Sequence, residues 1–292
     1  MSLNLNFQNK KVIITGGSMG LGYETARLFV SYGADVCICS RNYNELENAA
    51  KKLESEKKFS SQKIIFTRAD VGFTNEIDEL INFAKTNFKT LDVLVNCAGI
   101  YGPIGSLDEN SWDEWDYTVR VNLLGAVYIV RAFISELKAN NKSGKIICMS
   151  GGGATKGMPN FSAYAATKSG VVRTIETVAQ ELKGSGIEIN CVAPGALNTR
   201  MLEQAINAGE NSTGHDMFKK LLQQKENGGA SITNAAELIA FLASDLSNGI
   251  SGRLISAVWD DWKNLPEHKN ELDNSDVYTL RRIIPSERGF NW

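Results

Sequence analysis

Short apolar runs alternate with longer amphipathic stretches along most of the chain. Lys11–Thr15, Asp35–Cys39, Lys63–Thr67, Leu91–Val95, Lys145–Met149, Ile187–Val192 and Arg253–Ser256 read as strands. Between them, the apolar spacing predicts helices after Gly22 and over Asn44–Leu53, Glu76–Phe88, Ser111–Leu137, Ser162–Glu181 and Ala235–Ala243. In the longest of these, Trp112, Trp115, Val121, Leu124 and Val127 form the expected buried side. Strand alternating with helix predicts an α/β fold, a doubly wound parallel sheet with helices on both faces. Residues 1–256 are expected to form a single domain, followed by an extension over 257–292 packed on the domain or a subunit interface. The polar, glycine-containing stretch 196–230 reads as a mobile lid or substrate loop.

Composition narrows the function classes. Apolar residues make up 43% and charged residues 22%, ordinary for a globular protein with a sizeable core. A formal charge of −2 gives no electrostatic case for nucleic acid or an anionic membrane as partner. The start lacks an apolar signal core, and no uninterrupted apolar run reaches the ~18 residues of a membrane span, so the default expectation is cytoplasmic. Cys37, Cys39, Cys97, Cys148 and Cys191 have no CxxC spacing and read as buried free thiols. His215 and His268 stand in polar surroundings, so neither a histidine triad nor a metal site is expected.

The chemistry concentrates at the ends of the strands. Gly16, Gly20 and Gly22 form a turn between the first strand and the first helix. Such a turn lets backbone approach a pyrophosphate at the positive end of a helix. Where a carboxylate would hold an unphosphorylated ribose, the second strand instead runs into Ser40-Arg41, a hydroxyl and a forked cation suited to a 2′-phosphate. That favours NADP over NAD. Asp70 and Asn96-Cys97-Ala98-Gly99 follow later strands and belong on the same side. Tyr164 and Lys168, four residues apart on one helix face, can pair a phenol with an ammonium. The lysine charge is expected to lower a phenol pKa that is ordinarily about 10, poising it as acid and base.

TGGSMGLG at 15–22, NCAG at 96–99, Asn122 in VNLLG, YAATK at 164–168 and APGALNT at 193–199 come in the order and spacing of the short-chain dehydrogenase/reductase family. Over roughly residues 9–256 the chain resembles that family's single-domain oxidoreductase branch, with a Rossmann-type sheet. The resemblance implies that Gly16, Ser18, Gly20, Leu21 and Gly22 wrap the pyrophosphate, with Ser40 and Arg41 at the 2′-phosphate. It also places Asp70 and Val71 at the adenine, and Asn96, Ala98 and Gly99 at the neighbouring ribose and backbone. Tyr164 would donate the proton to a substrate carbonyl oxygen, Lys168 would bond the nicotinamide ribose, and Asn122 would fix a water linking Lys168 to solvent. Pro194, Gly195 and Thr199 would lie along the nicotinamide. A homodimer or homotetramer acting on a small carbonyl or alcohol is implied as well.

Two departures stand out. The family's serine, 13 residues before the tyrosine, is Gly151 here. Losing one oxyanion donor typically costs ~10²–10³ in rate. Ser150, Thr155, Ser162 or the backbone N–H groups of Gly151–Gly153 are possible replacements. The other departure is the end, AVWDDWKNLPEHKN, where the family commonly has an Asp-Gly-Gly turn. Trp259 and Trp262 either line the substrate pocket, or a neighbouring subunit's, or pack the extension onto the domain, and packing is the favoured reading. The expected function is NADPH-dependent reduction of a ketone, or the reverse oxidation. The alternative is a nucleotide-binding sensor or structural subunit with impaired chemistry. Sugar derivatives, acyl thioesters, steroids and small ketones all stay open as substrates.

Overall fold

Seven parallel strands make the sheet of the computed structural model, which describes residues 5–292. They are β1 (Lys11–Thr15), β2 (Asp35–Ser40), β3 (Ile64–Arg68), β4 (Val93–Asn96), β5 (Gly144–Met149), β6 (Ile187–Ala193) and β7 (Leu254–Ser256), ordered β3-β2-β1-β4-β5-β6-β7. The order reverses between β1 and β4, where the chain crosses from one half of the sheet to the other. Ligands in such folds bind outside the carboxyl ends of the strands at that reversal.

Period-2 alternation divides the strand side chains between two cores. Val12, Ile14, Val36, Ile38, Val95 and Val192 face one layer with α1 (Gly20–Ser31), α2 (Tyr43–Glu54) and α10 (Ile232–Ala243). Ile13, Cys37, Cys39, Leu94, Ile146 and Ile189 face the other, with α3 (Thr74–Phe88), α5 (Gly125–Ala139) and α6 (Ser162–Glu181). The expected doubly wound fold is therefore present. The five cysteines are free, and burial pushes the Cys39 and Cys148 thiols up to about 12, which makes them inert.

The helix expected over 111–137 is interrupted. α4 (Trp112–Val119) passes into one wide turn over Arg120–Leu124, where the Gly125 N–H reaches back to Arg120 O, before α5 begins. The extra residue in that turn rotates the helix face. Val121 is buried as expected, but Trp112 and Leu124 are exposed, and Trp112 stacks on Trp115 at 5.2 Å. By length and mean hydropathy (1.3) the 112–139 run resembles a membrane span, yet α5 is a core helix that packs on α3 and α6.

The expected loop over 196–230 is also corrected. It holds α7 (Arg200–Asn207), the short α8 (Gly209–Thr213) and α9 (His215–Asn227). Leu202, Ala205 and Leu221 are buried at helical spacing within a segment whose overall composition is polar. Beyond β7 the chain is tied back to the domain. Arg253 donates to Ser275 O (3.1 Å), Val277 O (2.7 Å) and Leu272 O, and the Leu280 N–H donates to Glu176 of α6 at 2.6 Å.

Candidate active site

A cleft of about 1100 Å³ opens at the carboxyl ends of the strands, and the glycine turn forms its floor. Gly16 and Gly20 adopt the left-handed φ of +66° and +55° that the turn needs. At Gly22 a Cβ would lie 2.2 Å from the Gly16 carbonyl oxygen, so only glycine allows the turn to close this tightly. α1 starts at Gly20 without a side-chain cap from Met19, which leaves its first N–H groups free for an anion. The two strands flanking the reversal are fastened at their ends. The Thr15 hydroxyl donates to Asn96 Oδ1 (2.6 Å) and accepts from the Ala98 N–H (3.1 Å).

At one end of the cleft stand Ser40, Arg41, Asp70 and Val71. Asp70 is fully engaged: it accepts from the Tyr117 hydroxyl (2.6 Å) and the Gly72 N–H (2.9 Å). The same Tyr117 oxygen accepts from Arg41 Nη1 (3.1 Å), and Arg41 has no carboxylate partner among the described residues. Across the cleft, Arg200 at the start of α7 pairs with Glu45 of α2 at 2.7 Å. Thr199, just before α7, lies close enough to the glycine turn that a Cβ on Gly20 would touch it at 3.5 Å.

At the other end the N-terminal turns of α6 bring Tyr164 and Lys168 beside the end of β5. The phenol lies directly over Gly151, where a Cβ would stand 2.1 Å from the tyrosine oxygen. A serine therefore does not fit at 151 with Tyr164 in this position. Tyr101 packs edge-on against Tyr164 (4.8 Å between centroids) and in turn against Phe161 (5.2 Å). Lys168 is buried, donates to the Met149 carbonyl (2.9 Å) and lies 5.7 Å from the Tyr164 ring centre. Burial lowers the Lys168 pKa.

The same residue order recurs in known proteins. The family described as short chain dehydrogenase matches residues 10–210. The chain belongs to the short-chain dehydrogenases. It is 31% identical to the short-chain dehydrogenase/reductase aba4 of Botryotinia fuckeliana over 259 residues, covering 86% of this chain and 95% of that one. It is 30% identical to the 3-oxoacyl-[acyl-carrier-protein] reductase FabG of Chlamydia trachomatis, covering 85% and 95%. Among solved structures, a levodione reductase superposes with a TM-score of 0.78 at 25% identity, over 86% and 96% of the two chains.

This short-chain dehydrogenase is thus an oxidoreductase of the CH–OH/C=O class that uses an NAD(P) nucleotide. Its turn fits one, because glycines close it tightly where a Cβ would strike backbone, and the uncapped start of α1 lines the cleft. The surroundings of three of the expected site residues follow from tertiary packing. Asn96 is buried, holds Thr15 and does not line the cleft. Asn122 is 1% exposed and bonds protein throughout: its amide donates to Ile100 O (2.7 Å) and Thr167 Oγ1 (3.2 Å), and its oxygen accepts from the Ile100 N–H (2.9 Å). The Tyr164 phenol is raised, first by burial and then by Tyr101, rather than lowered by Lys168. Lys168 is itself desolvated and directs its ammonium to Met149.

Of the possible substitutes for the serine, Ser162 is occupied, since its oxygen accepts from the Trp115 indole (3.2 Å). Ser150 Oγ is buried without a partner among the described residues, and Thr155 is exposed at the rim. Tyr101 and Arg200, which line the cleft, and Tyr117, which bonds its residues Asp70 and Arg41, escape a sequence reading because tertiary packing brings them there. For Asn122→Ala, the partly buried N–H and C=O of Ile100 lose their partners, at roughly 1–3 kcal/mol for each such group. A lower thermal midpoint in calorimetry is expected, and an unchanged midpoint would show that Asn122 does not hold this loop.

Proposed function

We propose that this dehydrogenase reduces a ketone with NADPH, or oxidises the corresponding alcohol, with Tyr164 as the proton donor and acceptor. The observation that carries this reading is the single cleft that runs from the glycine turn to the Tyr164 phenol, with Lys168 buried beneath it. Gly16, Ser18, Gly20, Leu21 and Gly22 would hold the pyrophosphate, and Ala98, Gly99, Pro194, Gly195 and Thr199 would lie along the rest of the nucleotide. When bound, the reduced cofactor supplies a hydride to the carbonyl carbon. Tyr164 supplies the proton to the oxygen, so the alcohol forms with charge and electrons balanced. Lys168 would bond the nicotinamide ribose and help return a proton to Tyr164. Asn122 would act through the Ile100 loop that it anchors, as a positioning residue.

Support for NADP over NAD is the exposed Arg41 guanidinium, bound only to a neutral phenol, beside Ser40 and without a carboxylate at the strand end. Side-by-side fluorescence titrations with NADPH and NADH test this. A charge-assisted hydrogen bond contributes about 1.5–3 kcal/mol, so Arg41→Ala should weaken NADPH at least about tenfold and leave NADH unchanged. Equal affinities in the parent protein would sink the NADP assignment. Oxidation of NADPH upon addition of a ketone, followed by absorbance, tests the reaction itself.

A further inference from the structure

Beyond Tyr164 the cleft is closed by an apolar roof. Phe161, Tyr164, Leu202, Ala205 and Leu221 form one cluster, with Tyr101, Met158, Met201 and Met217 packed against it. Met201 of α7 and Met217 of α9 are half-buried and line the cleft, as does Met158 from the segment before α6. Methionine fills irregular space and adapts to bulky apolar partners. At the mouth stands Trp259. Its indole is 86% exposed, whereas Trp262 three residues on is 3% exposed and packs on Phe241 at 5.5 Å. Trp262 therefore packs the extension onto the domain, while Trp259 lines the cleft from its exposed position. The backbone at Trp259 is held in place: its N–H donates to Ser256 Oγ (3.2 Å), and Val258 lies against Gly195.

The charge at this end is spent or peripheral. Arg200 pairs with Glu45, and Lys168 is buried on the Met149 carbonyl. Asp260 accepts from the Ser256 N–H at 2.6 Å, and Gln224 donates to Leu197 O (3.2 Å) and Asn198 Oδ1 (3.3 Å). Lys156 is the cation without a carboxylate partner among the described residues here, and it is exposed on the loop after Gly151. Among the described residues at this end, no buried cation is left free for a phosphate or carboxylate on the substrate.

We infer that the substrate is a bulky, uncharged ketone or secondary alcohol whose apolar body sits between the Met201–Met217 roof and the Trp259 indole. The inference rests on the oxidoreductase reading of this cleft and names the class of molecule it takes. Phosphorylated sugars and phosphopantetheine thioesters carry anionic groups for which the substrate end offers only the exposed Lys156.

The test compares three carbonyl probes with NADPH: 2-decalone, acetoacetyl-coenzyme A and dihydroxyacetone phosphate. The neutral bicyclic ketone should exceed both charged probes in kcat/KM by at least about tenfold. Trp259→Ala should raise KM for 2-decalone about tenfold, as expected for losing one aromatic contact, with kcat within about twofold and NADPH affinity unchanged. If either charged probe is turned over as well as 2-decalone, the inference fails, and Lys156→Ala then shows whether that cation selects it. It also fails if 2-decalone is neither reduced nor alters tryptophan fluorescence. Failure of the underlying reading looks different: NADPH does not bind, or whichever probe is reduced is reduced at full rate by Tyr164→Phe.

Discussion

Replacing Tyr164 with Phe is expected to lower turnover by about 10²–10⁴-fold, the usual contribution of a positioned general acid. The ring keeps its place between Gly151 and Tyr101, since the packing there is aromatic and only the hydroxyl is removed. NADPH affinity should therefore stay within about twofold, which separates loss of chemistry from loss of binding. The pH dependence follows from the raised phenol. Burial stabilises the protonated form, so the acid needed for ketone reduction persists through neutrality and the reduction rate stays flat there. Alcohol oxidation needs the phenolate and should climb with pH over the same range. A Phe variant that retains the parent rate would remove Tyr164 from the mechanism. A parent protein that binds NADPH but reduces nothing would favour the sensor reading that Gly151 first suggested.

The second large effect is expected at Gly22. An alanine methyl there would sit 2.2 Å from the Gly16 carbonyl oxygen and 2.8 Å from its carbon, both rigid backbone atoms. The turn has to open, and forced overpacking of this kind costs about 1–3 kcal/mol. If that cost falls on the conformation that holds the pyrophosphate, NADPH binding weakens by roughly 10–100-fold. Gly157→Ala is the control, because a Cβ there meets nothing within 4 Å. Equal NADPH affinities for the two variants in calorimetric titration would show that the turn does not cradle the cofactor.

The Arg200–Glu45 pair gives the cleft a second feature that composition hides. It joins α7 to α2, the helix that follows Ser40 and Arg41, by one surface ion pair. Such a pair contributes little stability when exposed. Its interest lies in position, since both partners line the cleft.

Strand and helix alternation, the glycine turn and the spacing of Tyr164 from Lys168 could all be read from the sequence, because each depends on residues close in the chain. Backbone periodicity and local turn chemistry operate over a few residues, so the sheet, its two covered faces and the glycine turn were legible. The roof was not: α7 and α9 present buried Leu202, Ala205 and Leu221 within a polar segment, and burial depends on what they face. Nor was the rotated face of the 112–139 run, because one extra residue in the turn at 120–124 changes which side chains point inward. Asn122 and Asn96 stood in recognisable motifs, but their amides are directed at Ile100 and Thr15, partners far away in the chain. The sequence by itself determined the fold, the family and the glycine at 151. Only the tertiary structure decided that the Tyr164 phenol fills the space over Gly151, that burial raises its pKa, and that Trp259 stays exposed while Trp262 is buried. Those outcomes depend on desolvation and steric contact between distant segments, which no local pattern encodes.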